Sequence, residues 1–190
     1  MLDVRRLASV LLMNELYFHE DFYCQVELLP MSALESSTSE MGEIDAFSEA
    51  HWDGHSWTAL HIREDQTQHL LSLAVSIDAV AALLDPILEP VTHVYTGFGT
   101  HKELCKNTRA WTLPCETALL ADFNATGAVE HLWLVNEPPE PDNVQQLWNA
   151  LKSLSQSGDY FIADWNLSIA VPLADDEMLM RYLVGSLDGA

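Results

Sequence analysis

Positive charge is what this chain most lacks: 8 lysines and arginines stand against 29 aspartates and glutamates, a formal charge of -21 on 190 residues. Without a basic stripe to neutralise phosphates, the sequence predicts no direct binding of nucleic acid. Anionic lipid would be repelled by the same surface. Cysteine is also scarce, and Cys24, Cys105 and Cys115 are too scattered for a disulfide framework. An odd count leaves at least one thiol free, which suits a reducing compartment, so a cytoplasmic location is expected. No apolar stretch reaches the roughly 18 residues that cross a bilayer. The run Leu7 to Met13 follows Arg5 and Arg6 but is cut by Asn14-Glu15, with no small-residue cleavage site after it, so no signal peptide is expected. The sequons at Asn124 and Asn166 would then carry no sugar.

Complete catalytic and cofactor motifs are missing as well. Thr96-Gly97-Phe98-Gly99-Thr100-His101-Lys102 has neither the GxxxxGK[ST] of a phosphate loop nor the GxGxxG of a dinucleotide loop, and reads as a glycine-permitted turn. There is no GxSxG elbow and no CxxC pair. His51-Trp52-Asp53-Gly54-His55 sets two histidines four apart around a carboxylate, but Gly54 opposes a helix and the HExxH pattern is unmet. Exposed loop histidines are the default there, and no metal or cofactor is expected. With His61 and His69, that stretch concentrates histidine enough to respond to pH.

What the chain has is a core. Hydrophobic residues make up 48% of it, including six Trp, six Phe and five Tyr, so the usual pairing of high charge with low hydrophobicity in disordered chains is broken. A chain of this length fits one domain, 1–190, that buries roughly 70% of its unfolded surface.

Periodicity supplies the elements. Val4, Leu7, Ala8, Leu11, Leu12 and Leu16 fit a helix capped by Asp3. Phe22 to Leu29 alternates with Cys24, Val26 and Leu28 on one face, a half-buried strand ended by Pro30. Residues 31–56, broken by Ser36-Ser37-Thr38-Ser39 and Gly42, are expected to form a long acidic loop with one helical turn near Ile44 to Ala50. Trp57 to Ile62, Leu70 to Val75 and Val91 to Phe98 carry strand signals, and Ser76 caps a helix through Leu84. Thr117 to Phe123 and Val129 to Val135 flank a glycine-containing hairpin loop. Val144, Leu147, Trp148, Leu151 and Leu154 make a helical stripe begun by Asp142; Tyr160 to Val171 is strand again, and Asp175 opens a last helix with Met178, Leu179, Tyr182 and Leu183 inward. This order predicts an α+β fold, a mainly antiparallel or mixed sheet packed by about four helices.

The charge is uneven. From Glu15 to Asp65 there are twelve acids and the single base Arg63. Lys102, Lys106 and Arg109 would share one face if helical, and are expected to pair with the chain's own carboxylates. Acids can simply solubilise, but opposed charge also speeds capture of a basic partner by roughly ten- to thousand-fold at low salt. The function expected on this basis is an acidic protein-binding module that neutralises a basic protein, an inhibitor or immunity-type protein acting against a toxin enzyme such as a nuclease. Glu40, Glu43, Asp45, Glu49, Trp52 and Asp53 are the expected partner contacts. Two rivals remain open: a small enzyme using His51, Asp53 and His55, with a metal, and a subunit of a homo-oligomer or larger assembly.

Overall fold

A computed structural model describes residues 15–63, 68–114, 117–135 and 141–186. Among these residues, ten strands form two sheets. The larger is antiparallel throughout, with strands in the order β10 (Ile169–Pro172), β9 (Tyr160–Asp164), β2 (Val26–Pro30), β8 (Val129–Val135), β7 (Ala118–Phe123), β6 (Thr108–Thr112) and β3 (Glu89–Val91). The smaller pairs β1 (Glu15–His19) in parallel with β4 (His93–Gly97), and β4 antiparallel with β5 (Glu103–Leu104). The outermost strands of the large sheet each hold a proline, Pro172 and Pro90.

Both faces of the large sheet are covered, which explains its near-continuous apolar strands. Helices α2 (Ile77–Leu84), α3 (Val144–Leu154) and α4 (Asp176–Leu183) lie on one face, packing Val80, Leu84, Leu147, Leu151, Leu154 and Leu179 against Leu28, Leu132, Leu134 and Ile162. Ser76 caps α2 through the Ala79 amide, and Asp175 caps α4 through the Met178 amide. The other face has two separate covers. The small sheet packs Leu16, Phe18 and Val94 on Leu120 and Trp133. Helix α1 (Leu34–Ala50) packs Met41 and Ile44 on Leu29, Phe161, Ala163 and Trp165. A seam is left between the covers.

The α+β class, the antiparallel sheet and the four helices agree with the sequence reading. The long loop expected at 31–56 does not: residues 34–50 form a 17-residue helix. Its inward stripe, Leu34, Ser37, Met41 and Ile44, has helical spacing, but buried Ser37 stands where an apolar residue would have revealed it. Ser36 and Thr38 donate their hydroxyls to the Ala33 and Leu34 carbonyls, so the serine-rich stretch satisfies itself within the helix.

Other expectations are corrected. Trp57 to Ile62 is a loop with one isolated bridge, Trp52 to Trp57. Leu70 to Val75 begins as a helical turn, Gln68–Leu71, because only Leu70 and Val75 reach the core. Lys102, Lys106 and Arg109 share no helix; they lie on and around β5 and β6, where Lys102 meets Glu15 and Arg109 meets Asp78. The strand expected from Phe22 starts at Val26, after Cys24 takes a left-handed φ of 51°. That turn sends Cys24 to the face opposite Val26 and Leu28. The helix expected from Val4 lies outside the described residues up to Asn14, and Glu15–His19 beyond it is a strand.

Met41 is 2% exposed whereas Glu43 is exposed. Met41→Ala is therefore expected to cost about 2–5 kcal/mol in urea unfolding, and Glu43→Ala to stay within about 0.5 kcal/mol. Equal effects would mean that α1 does not dock through this stripe.

Candidate functional site

Two features stand out on the α1 side of the molecule. The first is the outer face of α1 and the loop that follows it. Glu35, Glu43, Asp45 and Glu49 are exposed along the helix. The last turn contains no basic residue, so the partial negative charge of the helix end adds to Glu49 and Asp53 and is not offset by a neighbouring cation. Asp53 is exposed in the loop, and its Oδ1 accepts the His55 and Ser56 amides at 2.8 Å, bonds that hold its carboxyl below the ordinary range. Asp45 Oδ1 accepts the Ser168 hydroxyl at 2.6 Å.

The loop folds back on α1. The His51 ring stacks on Phe47 at 4.0 Å, its Nδ1 lies 2.8 Å from the Phe47 carbonyl oxygen, and His61 meets Phe47 edge-on at 5.4 Å. The Thr58 amide donates to the His51 carbonyl at 2.8 Å. Gly54, at a φ of 95°, makes the turn that brings Trp52 and Trp57 to a centroid distance of 4.9 Å. Trp57 is 60% exposed, Leu60 83% and Ile62 88%, so a folded loop presents large apolar groups to water.

Of the expected contacts, Glu43, Asp45, Glu49, Trp52 and Asp53 are exposed in this region. Glu40 is half-buried and faces a different environment. Burial lifts its carboxyl above the ordinary range, partly opposed by the charges of Arg63 and His61. His51, Asp53 and His55 do not form a ligand cluster: His51 is turned onto Phe47 and Asp53 onto the loop backbone.

The second feature lies in the seam between the two covers. Glu27 on β2 has a side chain only 4% exposed, and its Oε2 accepts Arg63 Nη1 at 2.6 Å and Trp165 Nε1 at 2.8 Å. Arg63 also donates from Nη2 to the Cys24 carbonyl at 2.9 Å, and its guanidinium lies 4.0 Å above the Trp165 ring. The other oxygen, Oε1, is 3.8 Å from His131 Nδ1 on β8. Burial alone would raise the Glu27 carboxyl, but the neighbouring His131, the charge of Arg63 and the bonds from Arg63 and Trp165 outweigh it, holding Glu27 below the ordinary range.

Among the described residues, Cys24, Glu27 and His131 form a group able to place one ligand atom each within 4.8 Å of the others, and all three are buried. They line a cavity of about 490 Å³ shared with Tyr23, Gln25, Ile44, His61, Ile62, Arg63 and Trp165. Burial, then the Glu27 carboxylate, push the Cys24 thiol up, so it carries its proton at neutral pH. Asp122 is paired with His131 across β7 and β8 and accepts Thr108 Oγ1 and Tyr23 OH. Burial lifts its carboxyl despite those bonds. Behind Tyr23 and Asp122 is a second cavity of about 280 Å³, where the buried Trp133 Nε1 and Thr96 Oγ1 have no hydrogen-bond partner.

The sequence reading put Glu27 on the wet face of a half-buried strand and missed this group. The available signal was Arg63, the only base between Glu15 and Asp65, in a chain whose buried acid needs a cation.

Removing one member of a buried ion pair leaves the other uncompensated. Arg63→Ala is expected to cost about 3–5 kcal/mol at neutral pH in urea unfolding; a loss below about 1 kcal/mol would rule out a structural role for the pair. Because the Glu27 carboxyl is depressed in the folded state, its contribution is complete above the unfolded value of about 4.3 and is lost as pH falls through the lower folded value. Thermal melts from about pH 5 to pH 3 should therefore show a smaller loss in Arg63→Ala than in the parent chain.

No family model, curated protein or solved structure matches this chain.

Proposed function

We propose that this chain is an acidic docking module that inhibits or neutralises a basic protein, in the manner of an inhibitor or immunity protein acting against a toxin enzyme such as a nuclease. The observation that carries this reading is the succession of two kinds of exposed residue along the chain: the acids of α1 are followed directly by a folded loop that exposes Trp52, Trp57, Leu60 and Ile62. Interfaces of high affinity combine a few large apolar anchors with a surrounding polar rim. The acids guide a basic partner into encounter, and the aromatic loop supplies the desolvated contact.

Four of the chain's eight basic residues are committed to its own carboxylates, which favours a protein partner over nucleic acid. Arg63, Lys102, Arg109 and Lys152 each face one of its own carboxylates: Glu27, Glu15, Asp78 and Asp176. An enzyme that grips phosphates has a basic groove, and α1 with its loop offers the complementary charge. The contacts on this reading are Glu43, Asp45, Glu49, Trp52 and Asp53, extended by Trp57, Leu60 and Ile62; Glu40 belongs to the seam.

The test starts from a partner captured from the source cell by cross-linking and then purified. The chain is expected to suppress that partner's activity, with affinity falling steeply as salt rises. Trp57→Ala should weaken binding by about 30-fold or more, a hot-spot loss of about 2 kcal/mol. Glu43→Lys combined with Glu49→Lys should abolish it, and both variants should keep the parent melting temperature within a few degrees. Binding indifferent to salt and to the double charge reversal would overturn the proposal.

A further inference from the structure

The seam contains a set of donor atoms that the docking reading does not use. We propose that Cys24, Glu27 and His131 bind one divalent transition ion of the zinc type, leaving a further coordination position open to the neighbouring cavity.

The donor chemistry comes first. A thiolate, an imidazole and a carboxylate suit a borderline-soft ion, and hard ions such as magnesium and calcium take oxygen donors instead. The three ligand atoms already fall within 4.8 Å of one another. Donors around a tetrahedral zinc ion with bonds of about 2.0–2.3 Å stand about 3.3–3.7 Å apart, so closure needs side-chain movement of about an ångström.

The surroundings orient these donors as an outer shell orients metal ligands. Glu27 divides its two oxygens: Oε2 is held by Arg63 and Trp165, and Oε1 is left on the side of His131, 3.8 Å from Nδ1. Arg63 also fixes the Cys24 carbonyl, so one guanidinium positions two of the three ligands. Cys24 sits at a φ of 51°, a left-handed conformation that a side-chain-bearing residue seldom adopts and that turns it from the helix-covered face into the seam.

The local charge also closes. Binding releases the thiol proton to solvent, and the thiolate and the Glu27 carboxylate together neutralise a dication. The Arg63 cation then also faces Glu40, on whose carboxyl it acts electrostatically. All three ligands line the 490 Å³ cavity, so a water or a small exogenous ligand can reach the remaining position.

The experiment uses the full chain, kept reduced, stripped with a chelator and titrated with cobalt(II) as a spectroscopic probe for zinc. One equivalent of cobalt per chain is expected, with a thiolate-to-cobalt charge-transfer band that one equivalent of zinc abolishes. Cys24→Ser should lose the band, Cys105→Ser should retain it, and His131→Gln should weaken cobalt binding at least tenfold, each with the parent's circular dichroism. A folded parent chain that takes up no stoichiometric cobalt would overturn the proposal. So would cobalt bound without the band, or a band that survives Cys24→Ser.

Discussion

The architecture on the α1 side depends on how one buried carboxylate is kept ionised. Glu27 lies in an interior strand of an apolar sheet, in the gap that the small sheet and α1 leave uncovered. An unpaired charge there would be prohibitively costly, and Arg63 together with Trp165 removes that cost. Arg63 reaches the seam from the end of the aromatic loop, so the pair also ties that loop to the sheet. Trp165 follows β9 and brings in the hairpin next to α1. Through Glu27, the aromatic loop is thus tied to the paired strands β2 and β9. Such an ion pair contributes more to defining a single arrangement than to net stability, since a well-packed apolar substitute could be equally stable.

The surface divides its charge in a related way. The cations of Arg63, Lys102, Arg109 and Lys152 are committed to internal partners, and the outer side of α1 is left to acids alone. A helix shaped by stability would place a lysine or arginine in its last turn, and α1 places Glu49 there. The exposed tryptophans beside it are held by a defined turn and by ring packing, so they are ordered before any partner arrives. That order lowers the entropy lost on association.

Much of the fold was legible in the sequence, because most elements carry one clear period. The hairpin of β7 and β8, the stripe of α3 and the caps at Ser76 and Asp175 follow from spacing and capping chemistry. The failures have physical causes. Helix α1 hid because its inward stripe includes Ser37, and its hydroxyl-rich first turns look like loop until their bonds to the backbone are seen. Alternation alone places Glu27 in water, because it cannot show that Arg63 and Trp165 close over the seam. The ligand group was invisible for a further reason: Cys24 and Glu27 are separated from His131 by more than a hundred residues, and Cys24 joins them only through a left-handed turn that no local pattern announces. The acidic stretch was legible as composition, whereas its division into an outer face and a seam-facing Glu40 needed the helix.

The prolines at the two margins of the large sheet bear on how this molecule meets others. Pro90 and Pro172 remove an amide donor from each outermost strand, so neither border offers an incoming peptide a complete row of backbone partners. Growth of the sheet by recruiting strands from a neighbour is thereby discouraged at both ends. Contacts along these two borders are left to side chains, and the large sheet is a poor template for extension by a second copy.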